Sequence, residues 1–180
     1  MNLTYPTYRA FVPFQSVGAN LVYFDLWNGA SGLFLDVYSV VPIVSGANAV
    51  SGVVGVDLFL TRTTAVGTGG TAATRSGTSL TAMTISPMIS DGDELTGLVT
   101  ARLTPTGGAT AGAVISWASV FTEETSAAPY YAHTNDLARR NQIDVCPIVM
   151  KPGSGIRVVQ GSVASVGTIG FDVIFQARWT

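Results

Sequence analysis

169-IGFDVIFQARW-179 alternates apolar and polar residues, and that alternation decides the fold. Phe171, Val173, Phe175, Ala177 and Trp179 fall on one side, and Asp172, Gln176 and Arg178 on the other, with Ile174 as the exception. Successive side chains of an extended chain point to opposite faces, so this is the pattern of a strand with one buried and one wet face. Similar β-branched or aromatic runs recur at 8–14, 20–27, 33–43, 53–62, 98–104, 113–121, 143–150 and 156–160, each bounded by Gly, Asn, Ser or Pro. In 53–62, Val56, Leu58 and Leu60 oppose Asp57, Phe59 and Thr61, which predicts a strand covered on both sides. No segment sustains a helical stripe. The best short helix is 134-TNDLARRNQ-142, with Thr134 or Asn135 as its cap, and an irregular polar loop is the alternative.

Eight or nine strands separated by turn residues predict an all-β protein, an antiparallel β-sandwich or jelly roll, with at most one short helix. The 180 residues fit a single domain, 1–180. Residues 1–8 are expected as an N-terminal arm. The Thr/Gly/Ala-rich stretch 63–86 is expected as a long loop or insertion, ordered by neighbouring subunits.

Composition narrows the function. The chain is 47% apolar but only 11% charged, against about 25% in ordinary soluble domains. A surface so poor in charge must have its apolar faces covered, which points to a permanent oligomer or lattice component. With net charge −2 and one basic pair, Arg139-Arg140, the electrostatic footprint of nucleic-acid binding is missing. The uncharged stretch 37–56 imitates a membrane span, but Pro42, Gly46, Asn48, Gly52 and Gly55 divide it into two strands. The N-terminus lacks the pattern of a signal peptide. Cys146, the sole cysteine, reads as a buried structural thiol.

Catalytic and metal chemistry find little support. His133 is the only histidine, and Asp136 is too near in sequence to orient it as in a triad. The carboxylate pairs at 91-DGDE-94 and Glu123-Glu124 do not by themselves make a hydrolytic pair across a cleft. Asp91, Asp93 and Glu94 flank a glycine as calcium ligands can, but the closing glutamate of an EF-hand is absent, so a solvated acidic turn is expected. No catalytic residue, cofactor or metal is expected. Glycan stacking could use Tyr130, Tyr131 or one of Trp27, Trp117 and Trp179. The tryptophans lie in strand-like runs, where aromatics fill cores, which leaves Tyr130-Tyr131 as the exposed pair.

In 147-PIVMKPGSGIRVVQ-160, Lys151 precedes the glycines, the reverse of a phosphate-binding loop, and strand-like residues follow. Ser154 lacks the elbow and base of a nucleophile. Pro152 and Gly153 suit the second and third positions of a type II turn. This turn, the hairpin Ser165 to Gly170 and the final strand through Trp179 together resemble the C-terminal signature of tailed-phage virion proteins. Strand 53–62, the variable loop after it and the region Leu103 to Phe121 are also similar. The resemblance implies a head decoration (cement) protein with no catalytic residues. It would be a homo-oligomer, a trimer favoured, bound to the major capsid protein on the virion surface and made in the host cytoplasm. A tail, neck or fibre component, a single-jelly-roll capsid protein and a glycan-binding module are the alternatives.

Overall fold

The computed structural model describes residues 5–45, 54–75, 81–88, 95–108, 111–122, 136–138 and 147–180. Twelve strands occur among them: β1 (Thr7–Ser16), β2 (Val22–Asn28), β3 (Leu33–Val44), β4 (Val54–Thr63), β5 (Thr71–Ala72), β6 (Thr74–Arg75), β7 (Thr84–Pro87), β8 (Val99–Leu103), β9 (Ala111–Thr122), β10 (Ile148–Met150), β11 (Ser154–Gln160) and β12 (Thr168–Trp179). Nine of them overlie the runs read from the sequence. No helix occurs among the described residues, and the three described positions of the helix candidate, 136–138, form a turn.

The pairing follows one rule. β1 pairs with β12, β2 with β11, β3 with β10 and β4 with β9, all antiparallel. The chain is therefore a long double-stranded hairpin whose tip is the β4–β9 connection. Rolling that hairpin up brings β12 beside β3 and β11 beside β4. Two six-stranded sheets result: β10-β3-β12-β1-β7-β6 (sheet I) and β5-β8-β2-β11-β4-β9 (sheet II). Without β5 to β8 this is the eight-stranded order of a jelly roll, two Greek keys closed face to face.

The insertion expected at 63–86 is present, and its described residues are built into their own chain. β7 joins β1 in sheet I, and β5 joins β8 in sheet II. The five residues from Thr71 to Arg75 bond first to sheet II and then, through β6, to β7 of sheet I, so they close one open side of the sandwich. Met83 and Ile85 are buried there. Residues 136–138 bridge the opposite side. Leu137 N donates to Val40 O of β3 at 2.9 Å, and Ser116 Oγ of β9 donates to Leu137 O. Asp136 is committed to this bridge: its carboxylate accepts from Ser39 Oγ at 2.7 Å and from Val40 N and Ala138 N at 2.9 Å.

The alternation in β12 is kept: Phe171, Val173, Phe175 and Ala177 have no exposed surface. Phe171 packs between Tyr23 and Phe24 of sheet II, with ring centroids 5.1 and 5.5 Å away. Tyr8 stacks on Phe175 at 5.6 Å. On the opposite face Asp172 pairs with Arg9 at 2.6 Å, and Arg178 with Asp36 at 3.1 Å. Trp179, expected inward, is about half-exposed (48%). It is the last residue of the strand. Residues 7 and 8, expected within an N-terminal arm, belong to β1 instead. Tyr8 belongs to the core and Pro6 O accepts from Ala177 N at 3.0 Å, so residues 7 and 8 are strand, and residues 1–4 lie outside the described part.

The turn before β11 has the expected form. Gly153 has φ of 69°, the left-handed value that a type II turn needs at its third position. Ser154 N closes the turn on Lys151 O at 3.2 Å, and Ser154 Oγ bonds the same carbonyl at 2.7 Å. The hydroxyl is thus engaged in holding the bend.

Candidate functional site

The outer faces of the two sheets differ in chemistry. Sheet I carries the two ion pairs described above, and Arg178 also lies 5.1 Å over the ring of Phe34. Sheet II is built in rows. Trp117 of β9 stands opposite Phe59 of β4, Phe59 opposite Val159 of β11, and Val159 opposite Val22 of β2. Four strands therefore contribute one continuous apolar row, because residues in register on one face lie side by side. Two residues further along β9, Ser119 Oγ donates to Asp57 Oδ1 of β4. Beyond them the Phe121 ring lies over Gly55, as the Phe59 ring lies over Gly161. The 161–167 loop borders this end, where Thr122 Oγ1 donates to Val166 O at 2.7 Å.

Trp117 is 53% exposed, Phe121 48% and Val114 56%. This corrects the expectation that Trp117 fills the core, and shows β4 to be sealed on one face only, since Phe59 is half-buried and Asp57 exposed. The inward positions of β9 are the small or aliphatic Ser116, Ala118 and Val120, so the aromatics of the strand face outward. That assignment was present in the parity of 113-AVISWASVF-121. What parity lacks is which face has a second sheet against it.

A charged row runs beside the apolar one. Arg102 of β8 and Arg157 of β11 stand directly opposite Asp25 of β2, one on each side. The insertion caps this row: Gly67 N donates to Asp25 Oδ2 at 2.7 Å, and Arg102 Nη1 donates to Gly69 O at 3.1 Å. Arg157 Nε donates to Thr61 Oγ1 at 3.3 Å. Asp25 is only 2% exposed. Burial pushes its carboxyl above the ordinary aspartate range, while the backbone donors of Gly67 and Arg102 and the Arg102 charge pull the other way.

A carboxyl that holds its proton more tightly in the folded state than in the unfolded one stabilises fully below the unfolded pKa of about 3.9. That contribution is lost as pH rises through the higher folded value. Asp25→Asn keeps an oxygen acceptor for Gly67 and removes the ionisation. Its stability relative to the parent should therefore be higher at pH 7 than at pH 3, read by denaturant titration at both. A difference that does not change with pH would contradict the burial argument.

Asp91, Asp93, Glu94, Glu123, Glu124, Tyr130, Tyr131, His133, Arg139, Arg140 and Cys146 lie outside the described residues. Among those that are described, no cluster of three metal-ligating side chains occurs, and no helix is long and apolar enough to cross a membrane. Trp27 is half-buried with its ring against Gly155. Fold and surface together define a class: a jelly-roll β-sandwich that presents an apolar, partly aromatic outer face at one edge. No family model, curated protein or solved structure matches this chain.

Proposed function

We propose that this chain is a virion structural protein, a decoration (cement) protein that binds the major capsid lattice as a homo-oligomer and stabilises it. The observation that carries the reading is the apolar outer face of sheet II, exposed at Val114, Trp117 and Phe121 of β9 and half-buried at Phe59, Val159 and Val22, on a chain with only 11% charged residues. Such a surface suits permanent burial, because contiguous apolar patches mark interfaces and obligate interfaces are the more apolar ones. The resemblance of the Met150 to Gly155 turn and the final hairpin to phage virion proteins supplies the setting. The mechanism is mass action: a protein that binds only the intact lattice shifts the equilibrium away from broken or swollen shells. No catalytic role, cofactor, nucleic-acid partner or membrane is part of the proposal.

A single-jelly-roll shell protein is the second reading, favoured by the complete eight-strand order, which capsid domains share with lectins. Quantitative mass spectrometry of purified virions separates the readings. A cement protein should be present at a copy number comparable to a distinct major capsid protein, and a handful of copies per particle would sink it in favour of a tail, neck or fibre part. Shells formed by the purified protein alone would support the second reading.

A further inference from the structure

Between β4 and β5 the insertion crosses the outer face of sheet II above Asp25. There its segment 64–70 and the segment 104–108, which follows β8, hold each other. Thr68 N donates to Gly107 O at 2.7 Å, and Thr106 N donates to Thr68 O at 3.0 Å. A β-carbon on Gly67 would press on Asp25 Oδ2 and lie 3.1 Å from Pro105 Cβ, so the two segments form a lid shut tightly on the carboxyl. Most residues of the lid are exposed, whereas Asp25 beneath it is buried. Only one oxygen of that carboxyl is satisfied. Oδ2 accepts from Gly67 N, but Oδ1 is buried with no hydrogen-bond partner among the described residues. Thr104, at the root of the lid, has φ of 45°, a left-handed value that a β-branched residue takes only under constraint.

We propose that the lid over Asp25 is a pH-sensitive latch, held shut while Asp25 is protonated and released more readily once Asp25 ionises. A buried carboxylate with one oxygen out of reach of a donor is penalised, and a neutral carboxyl in the same place much less so. Lifting the lid brings water to Oδ1 and relieves that penalty. It is a local event, because 64–70 and 104–108 lie between strands and outside the ladders of both sheets. The charged groups facing the carboxyl are Arg102 on β8 and Arg157 on β11, and the two lid segments contain none. Both guanidiniums favour the ionised form. Burial under the lid opposes them and dominates, which is why the carboxyl holds its proton more tightly than an ordinary aspartate. The sign follows by linkage: protection is fullest below the lid-open pKa and declines until pH passes the higher lid-shut one. The latch rests on the geometry at Asp25 and stands or falls separately from the cement reading.

The test is hydrogen exchange of the Gly67 and Thr68 amides in the full chain, followed by nuclear magnetic resonance from pH 4 to pH 7 and corrected for the intrinsic rate. Their protection should fall about threefold or more across that range, while the amides of β12, which open only with the sheets, do not follow. Asp25→Asn is neutral throughout and should keep the protection constant. Gly67→Ala wedges the lid against Asp25 and Pro105, and should leave the Thr68 amide exchanging fast at every pH with an unchanged far-ultraviolet circular dichroism spectrum. A parent protein whose lid protection does not change with pH overturns the proposal. So does an Asp25→Asn variant that keeps the parent's pH dependence, a Gly67→Ala variant as protected as the parent, or an equal fall in the β12 amides.

Discussion

Phe171→Ala should lower the free energy of unfolding by about 3–5 kcal/mol, the range for removing a fully enclosed phenylalanine. Phe171, the fourth residue of β12, has no exposed surface and touches the rings of both Tyr23 and Phe24 across the sandwich. Because both sheets contribute to the contact, neither can close the cavity without carrying its neighbours along. With total stabilities of about 5–15 kcal/mol, the loss is about a fifth or more of what holds an ordinary domain. Urea titration reads it as a fall in midpoint at unchanged slope. A loss below about 1 kcal/mol would mean that the two sheets do not pack about this residue.

Gly155→Ala should be the most damaging single change in the turn segment, by about 3 kcal/mol, at the upper end of ordinary overpacking. A β-carbon at this position would lie 2.6 Å from Leu26 O and 2.9 Å from Trp27 Cε3, and would press on Thr63 Oγ1. The tryptophan ring can swing away. The Leu26 carbonyl cannot, because it belongs to β2, which is held between β8 and β11. Thermal unfolding of the variant beside the parent reads the effect, and an unchanged midpoint would show that β11 does not lie this close to β2. Each small residue of 152-PGSG-155 then has its own cause. Proline presets φ, Gly153 takes a positive φ, Ser154 bonds the Lys151 carbonyl, and Gly155 makes room for two neighbouring strands.

Strand positions were legible because alternation is local: one residue's neighbours in sequence reveal which face it shares. Thus 169-IGFDVIFQARW-179 identified Phe171, Val173, Phe175 and Ala177 as buried before any partner was known, and erred only at the strand end, where it placed the half-exposed Trp179 with them. The short strands β5, β6 and β7 were not legible. Thr71, Ala72, Thr74 and Arg75 have no apolar alternation, and their strand character comes only from bonding to β8 and β7. Trp117 and Phe59 were read as covered for the same reason. Alternation separates two faces of a strand, but it cannot tell whether the second face meets another layer or solvent.

The charged row was equally invisible. Asp25, Arg102 and Arg157 are far apart in the chain and carry no spacing signal, and only the pairing of β2 with β8 and β11 sets them side by side. The sequence by itself determined an all-β chain, its principal strands, the turn at Pro152-Gly153 and a composition poor in charge. Those properties reside in single residues and their nearest neighbours. The tertiary structure alone decided the jelly-roll order, the closing of both open sides, and the emergence of β9 as the one long edge among the described strands. These depend on which strands meet after the hairpin rolls up, and that is fixed by burying Phe171, Tyr23, Phe24 and their neighbours together, a condition no local pattern can express.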